Sequence, residues 1–136
     1  MTSTAVMTEA QDRFLREHRL AVLATGRRDG SPQVSTIYYD YDGTDIVISV
    51  TSDRWKWKNA VRQPKVALLV NEGRQQLIVY GTAEGITDDP DRLELTKRLR
   101  RRAGTDFPDD ATFATQLDEA HRTILRITPD RVSFNE

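Results

Sequence analysis

Hydrophobic and polar positions along the chain alternate between two periods, and the change of period marks the elements. From Thr8 to His18 the residues are mostly polar, with Phe14 and Leu15 forming one apolar edge, and Thr8 with Gln11 makes a capping box; this predicts a helix. Leu20 to Thr25 is a short apolar run, read as a buried strand. Asp29-Gly30 signals a turn between Gly26 and Pro32. Gln33 to Tyr41 then alternates. Val34, Thr36 and Tyr38 point one way, and Gln33, Ser35, Ile37 and Tyr39 the other, on a segment whose β-branched and aromatic content favours a strand.

Asp42-Gly43 is a second hairpin signal and leads into the strand-like run Asp45 to Thr51. Ser52 and Asp53 are good N-cap residues, so a short helix is expected to open there and carry Arg54, Trp55, Lys56, Trp57, Lys58 and Asn59. Pro64 stops it, and Lys65 to Asn71 reads as the next strand. Glu72-Gly73 turns the chain into a long strand, Gln75 to Thr87. Gly81 and Gly85 interrupt that strand and imply a bulge or a close backbone approach. Asp88-Asp89-Pro90 begins a helix to about Ala103, with Leu93, Leu95, Thr96 and Leu99 inward. A second helix is expected over Asp109 to Arg122, then closing strands at Thr123 to Ile127 and Arg131 to Phe134. Five or more strands joined mostly by tight turns suggest a small antiparallel barrel with appended helices. The absence of βαβ repetition and of a Gly-x-Gly-x-x-Gly motif argues against a Rossmann site.

Composition changes this picture in three places. The 136 residues suit one domain over 1–136, with 1–8 expected to be a flexible N-terminus. A net charge of −1 argues against a general nucleic-acid binder. No cysteine is present, which excludes thiolate chemistry and disulfides and fits a cytoplasmic protein. The start of the chain lacks the apolar core of a signal peptide, and no apolar run reaches the length of a membrane span.

The densest chemical feature is the segment from Thr51 to Asn59. Backbone N–H groups at a helix start, with Arg54, Lys56 and Lys58 beside them, suit a phosphate or another anion. Basic residues on a short helix also serve as an ordinary solvated face, and Trp55 and Trp57 as packing; the segment by itself leaves both readings open. His18 and His121 stand far apart in sequence and form no ligand-spaced cluster, so no metal site is expected. The acid pairs Asp88-Asp89 and Asp109-Asp110 fit helix starts. The basic run from Lys97 to Arg102 fits the solvated C-terminal end of a helix better than an RNA or membrane surface.

The order of motifs carries a resemblance: Leu20 to Thr25, then Asp29-Gly30-Ser31-Pro32-Gln33-Val34-Ser35, then Ile48 to Thr51, Arg54-x-Lys56-x-x-Asn59, Pro64 and Gly81-Thr82-Ala83. Over residues 9 to 134 the chain resembles the pyridoxamine 5'-phosphate oxidase-like split β-barrel family. More closely it is similar to the actinobacterial flavin/deazaflavin oxidoreductase B branch, which uses coenzyme F420. The resemblance implies a mainly β fold, a six-stranded antiparallel split β-barrel, assembled as a homodimer with cofactor sites at the interface. It implies that Arg54 and Lys56 hold the cofactor phosphate, with Lys58 and Asn59 beside it and the Ser49 and Thr51 hydroxyls nearby. Gln33, Val34, Ser35 and Thr36 would line the tricyclic ring, and Arg74, Gln75 and Gln76 would close the pocket from the partner subunit. Relatives often carry an aromatic where Arg74 stands; a cation there suits the acidic oligoglutamate tail of the deazaflavin.

With so few protein nucleophiles, the cofactor is expected to carry the chemistry, as a hydride passed to a conjugated or quinone-like small molecule. Tyr38, Tyr39 and Tyr41 are candidate proton donors, with strand packing the expected job of at least two. The alternatives are an FMN-binding enzyme of the same fold and a non-catalytic protein that binds a flavin or deazaflavin.

Overall fold

The computed structural model describes residues 6–135. Helix α1 spans Glu9–Glu17 and opens with the expected capping box: Gln11 N donates to Thr8 Oγ1 at 3.2 Å, and Thr8 N donates to Gln11 Oε1 at 2.9 Å. Phe14 and Leu15 are its buried face, and Met7 packs on the same core. Of the expected flexible stretch 1–8, residues 1–5 lie outside the described residues, whereas Met7 and Thr8 are held by core packing and the cap.

The strands are β1 Leu20–Gly26, β2 Pro32–Tyr38, β3 Asp40–Tyr41, β4 Ile46–Thr51, β5 Lys65–Glu72, β6 Gln75–Ile86 and β7 Arg122–Asn135. They form one curled sheet in the order β2-β1-β5-β6-β7-β4-β3, with every described pair antiparallel. The sheet has seven strands where six were expected, because the alternating run Gln33 to Tyr41 breaks at Tyr39. Up to Tyr38 the chain pairs with β1; from Asp40 it pairs with β4, at the other end of the sheet. Tyr39 sits at that corner, its N–H donating to Arg19 O at 2.8 Å and its buried hydroxyl to Leu15 O at 2.7 Å. The two expected closing strands are instead one, β7. A register shift between Tyr80 and Gly81 leaves Asp130 as the extra residue on β7, beside Pro129, which lacks the N–H that a regular ladder needs.

Inward residues of the strands make the main core, with Leu23, Leu68, Leu77, Ile48 and Leu125 at 0–1% exposure. Helix α3, Asp91–Ala103, lies outside the sheet, where Leu95 and Leu99 pack on Val47, Ile86 and Ile124. Helix α4, Asp110–Glu119, packs on it through Phe113, Leu117 and Leu93. It is shorter than expected: the chain turns at His121 with φ +56°, and Arg122 already belongs to β7. Among the described residues no helix is long and apolar enough to cross a membrane.

The basic run of α3 is not the solvated face its composition suggested. Lys97 is buried and bonds Asp110 at 2.6 Å and Glu94 at 3.0 Å. Arg98 reaches Asp40, Asp42 and Asp45 at 2.6, 3.1 and 3.2 Å, tying α3 to the β3–β4 hairpin. Arg102 donates to the carbonyls of Arg16 and His18 at the end of α1. Charges committed inside the molecule are withdrawn from an RNA or membrane surface.

At Gly81 β7 lies close against β6: a Cβ there would lie 2.7 Å from Ile127 Cγ2 and 2.8 Å from Thr128 O. Backbone on one side and a buried side chain on the other leave little room to yield. Gly81→Ala is expected to lower stability by about 1–3 kcal/mol in chemical denaturation. An unchanged midpoint would show that the bulge has slack.

Candidate functional site

The cations after β4 are placed by how β4 ends. Its pairing with β7 runs to Thr51 opposite Arg122, and Ser52 N extends it by donating to His121 O at 2.9 Å. A turn closed by Arg54 N to Thr51 O at 3.1 Å follows, so helix α2 spans Trp55–Arg62 and Arg54 occupies the N-cap. Ser52 and Asp53, the expected caps, are used up by the strand extension and the turn. No side chain caps α2, and its first turn holds no acidic residue. The helix therefore starts with unpaired N–H groups flanked by the exposed Arg54 and the half-buried Lys56.

Two contacts fix the helix on the sheet. The Trp57 indole lies over Gly85 of β6, where a Cβ would come within 2.6 Å of Cη2. Asn59 is buried; its Nδ2 donates to Thr25 Oγ1 at 3.3 Å and its Oδ1 accepts from Arg62 at 3.2 Å. Thr25 in turn donates to Gln33 Oε1 at 2.9 Å, and Arg62 to Gly26 O at 2.6 Å. Asn59 and Gln33 thus belong to a chain of bonds that seats the C-terminal half of α2 on the β1–β2 hairpin. They line a cavity of about 560 Å³ that also takes in Arg27, Arg28, Arg62 and Trp55. Lys58 is exposed, its Nζ 4.8 Å from the centre of the Trp55 ring.

Lys56 points elsewhere. With Thr36 and Ser49 it lines a cavity of about 410 Å³ bounded by β2, β4 and α3. β2 is an end strand, so one of its backbone edges is free of sheet pairing. Burial lowers the Lys56 pKa, and the charges of Arg54 and Arg122 lower it further. Two buried hydroxyls, Ser35 Oγ and Thr51 Oγ1, have no hydrogen-bond partner. The Thr51 hydroxyl holds the exposed Asp53 carboxyl below its ordinary range, yet their contact falls short of hydrogen-bonding geometry.

The structure therefore divides the sequence-predicted set. Thr36, Ser49 and Lys56 share one cavity, and Gln33 and Asn59 another. Val34 is 61% exposed on the outer face of β2. Arg74, Gln75 and Gln76 are exposed at the β5–β6 hairpin. Gln75 and Gly85, the latter beneath Trp57, lie toward opposite ends of β6, about 30 Å apart at the usual strand rise. Sequence reasoning missed Arg27, Arg28 and Arg62, and the entry of Arg19 and Arg100 into the Lys56 cavity. These come from separate elements, and only the tertiary fold joins them.

Tyr39 and Tyr41 are packing residues. Their hydroxyls donate to Leu15 O and to Asp12 Oδ1, each at 2.7 Å. Burial pushes both phenols well above their ordinary pKa. Tyr38, 61% exposed, lines the Lys56 cavity. His18 lies between Phe14 O at 2.7 Å and Glu72 Oε1 at 2.6 Å, and His121 is exposed. No group of three or more metal-ligating side chains occurs among the described residues.

Comparison with known proteins matches residues 7–136 to the family model described as pyridoxamine 5'-phosphate oxidase. The chain is similar to the solved structure of an F420 reductase at 27% identity, covering 93% of this chain and 98% of the other, with a TM-score of 0.74. It is similar in fold to a conserved hypothetical protein of Mycobacterium tuberculosis at 23% identity, with 96% and 86% covered and a TM-score of 0.79. The heme storage protein HutZ of Vibrio cholerae also has this fold, at 17% identity, with 96% and 95% covered and a TM-score of 0.68.

Gly85 makes room for a rigid ring rather than a flexible tip. Gly85→Ala is expected to displace Trp57, changing the near-ultraviolet circular dichroism and costing about 1–3 kcal/mol in denaturation. An unaltered aromatic spectrum would mean that α2 is not held by this contact.

Proposed function

The chain belongs to the pyridoxamine 5'-phosphate oxidase family, and on that premise we propose that it is an oxidoreductase that uses the deazaflavin coenzyme F420 to reduce a conjugated or quinone-like small molecule. The observation that carries this reading is the uncapped, cationic start of α2 beside a cavity whose lining holds no carboxylate. The likeness to an F420 reductase favours the deazaflavin over FMN.

The residues present fit such a group. Arg54, Lys56 and the free N–H groups of α2 suit its phosphate, and Lys58 stands one turn from Arg54. The unpartnered hydroxyl of Ser35 is a buried donor whose desolvation is uncompensated until a polar group meets it. The free edge of β2, with Gln33, Val34, Ser35 and Thr36 along it, offers backbone donors and acceptors to a planar heterocycle. The bound deazaflavin supplies a hydride-donating ring; the protein's part is to align it, keep water away and complete the reduction with a proton. Of the three candidate tyrosines Tyr39 and Tyr41 have committed hydroxyls, so Tyr38, which lines the cavity, takes the proton-donor role in this reading.

A second copy of the chain completes the proposal. Leu20, Val34 and Tyr38 are exposed on one face of the β1–β2 pair, Leu20 directly opposite Tyr38, and a homodimer would cover them. Arg74, Gln75 and Gln76, remote from α2 in their own protomer, would then serve the partner's site.

The test is a fluorescence titration of purified protein with F420, FMN and hemin. F420 is expected to bind most tightly. Binding of FMN or hemin without F420 would overturn the assignment. Arg54→Ala with Lys56→Ala is expected to weaken F420 at least about tenfold while the denaturation midpoint barely moves. Unchanged affinity would place the phosphate elsewhere.

A pH dependence follows from Lys56. An anion binds its charged form, so affinity is full below its depressed pKa and falls as pH rises through it, before the ordinary lysine value of 10.5. In Lys56→Arg this alkaline loss should disappear; its persistence would assign the titration to another group.

A further inference from the structure

The cavity entered by Lys56 is entered by two more cations, Arg19 from just before β1 and Arg100 from α3. Arg19 is anchored, its carbonyl accepting from Tyr39 N at 2.8 Å. Its guanidinium carbon lies 5.2 Å from the centre of the Tyr38 ring, and its Nε is buried with no hydrogen-bond partner. Arg100 makes one long bond, to Asp106 O at 3.3 Å, and stacks on Phe113. Asp40, next to the Tyr38-Tyr39 pair, is already held by Arg98 at 2.6 Å and approached by Arg102 at 3.8 Å. The adjoining groove on the outer face of the sheet shares Arg19 and contains one acid, Glu17. The cavity itself thus combines three cations and no acid with apolar wall from Ile37 and Leu99.

An excess of positive charge around apolar walls matches a ligand with a flat body and more than one anionic group. The cofactor phosphate, on the reading above, engages Lys56 together with Arg54. We propose that Arg19, assisted by Arg100, recognises a carboxylate on the substrate, so that the enzyme selects conjugated organic acids over neutral conjugated molecules. The orphaned Nε gives the carboxylate a desolvated donor in a planar fork, and the Tyr38 ring beneath keeps that fork oriented. This inference rests on the oxidoreductase reading, because it assigns the second anion to the substrate of that same cavity.

The anion has two possible sources, the substrate or a second acidic group of the cofactor, and the experiment separates them. 2-Naphthoate and its neutral methyl ester are titrated into the protein, free and loaded with F420, following naphthalene fluorescence. Wild type is expected to bind naphthoate in both forms and to prefer it to the ester. Arg19→Gln is expected to weaken naphthoate about tenfold, leaving the ester and F420 within about twofold. Arg100→Gln, which removes a side chain from a different element, is expected to weaken naphthoate by a smaller factor, and circular dichroism reports whether each variant is folded. Equal naphthoate binding by wild type and both variants overturns the proposal. So does a tenfold loss of F420 affinity in Arg19→Gln, which would give the anion to the cofactor. Absence of F420 binding in wild type, with the naphthoate preference intact, sinks the deazaflavin reading and leaves Arg19 as an organic-anion site.

Discussion

Trp57 lies where Gly85 has no side chain, and the place of every cation at the start of α2 follows from that contact. An eight-residue helix is too short to hold itself in water, so its geometry must come from the sheet. One face is pinned by the indole on β6. The adjacent face is pinned by Asn59 through Thr25 and Gln33 to the β1–β2 hairpin. With two faces held, the remaining direction carries Lys56 into the cleft and leaves Arg54 at the uncapped end. A Ser or Asp at that cap would satisfy the free N–H groups internally; Arg54 cannot, and the helix keeps its capacity for an external anion.

The balance of 20 basic and 21 acidic residues conceals a partition. Around α3 the acids and bases are matched, as in Arg98 with Asp40, Asp42 and Asp45, Lys97 with Glu94 and Asp110, and Arg92 with Asp89 and Asp118. Those pairs dock the helix and use up the nearby carboxylates. Lys56, Arg19 and Arg100 are left facing a cavity without one. Burial lowers the pKa of Lys56, and the charges of Arg54 and Arg122 lower it further. A protein that spends its acids on fastening a helix and withholds them from a cleft can leave that cleft positive without needing a basic composition.

What the sequence made legible was local. The Thr8–Gln11 capping box and the turns at Gly30 and Gly43, with φ of +89° and +101°, are properties of a few adjacent residues. The inward and outward alternation of β2 was likewise readable, since side chains on a strand take opposite faces. The misreadings arose where a distant strand decided the outcome. Tyr39 breaks an evenly alternating run because its two flanks pair with different strands. Pro129 does not break β7 because the ladder slips at Asp130 beside it and resumes with Pro129 opposite Gly81. Ser52 fails as a cap because His121, sixty-nine residues later, takes its N–H. At the site the same limit holds: Arg54 and Lys56 were visible as a cluster, while Arg19 and Arg100 join them only through the fold.

The free edge of β2 ties fold to function. An unpaired strand edge invites aggregation, and proteins cover it, shorten it or break it with charge. Here β2 is neither short nor charged along its length; its outward residues are Pro32, Val34, Thr36 and Tyr38, all exposed. The groove beside its edge is bounded by α3 and α2 but remains a cavity rather than packed core. An edge with free donors and acceptors, an apolar outer face and cations on its flank is poorly explained as the surface of an isolated protomer. On the proposed function the three features become consistent: a flat, anionic ligand would lie along the edge and a second copy of the chain would cover the face, each burying what the other leaves open.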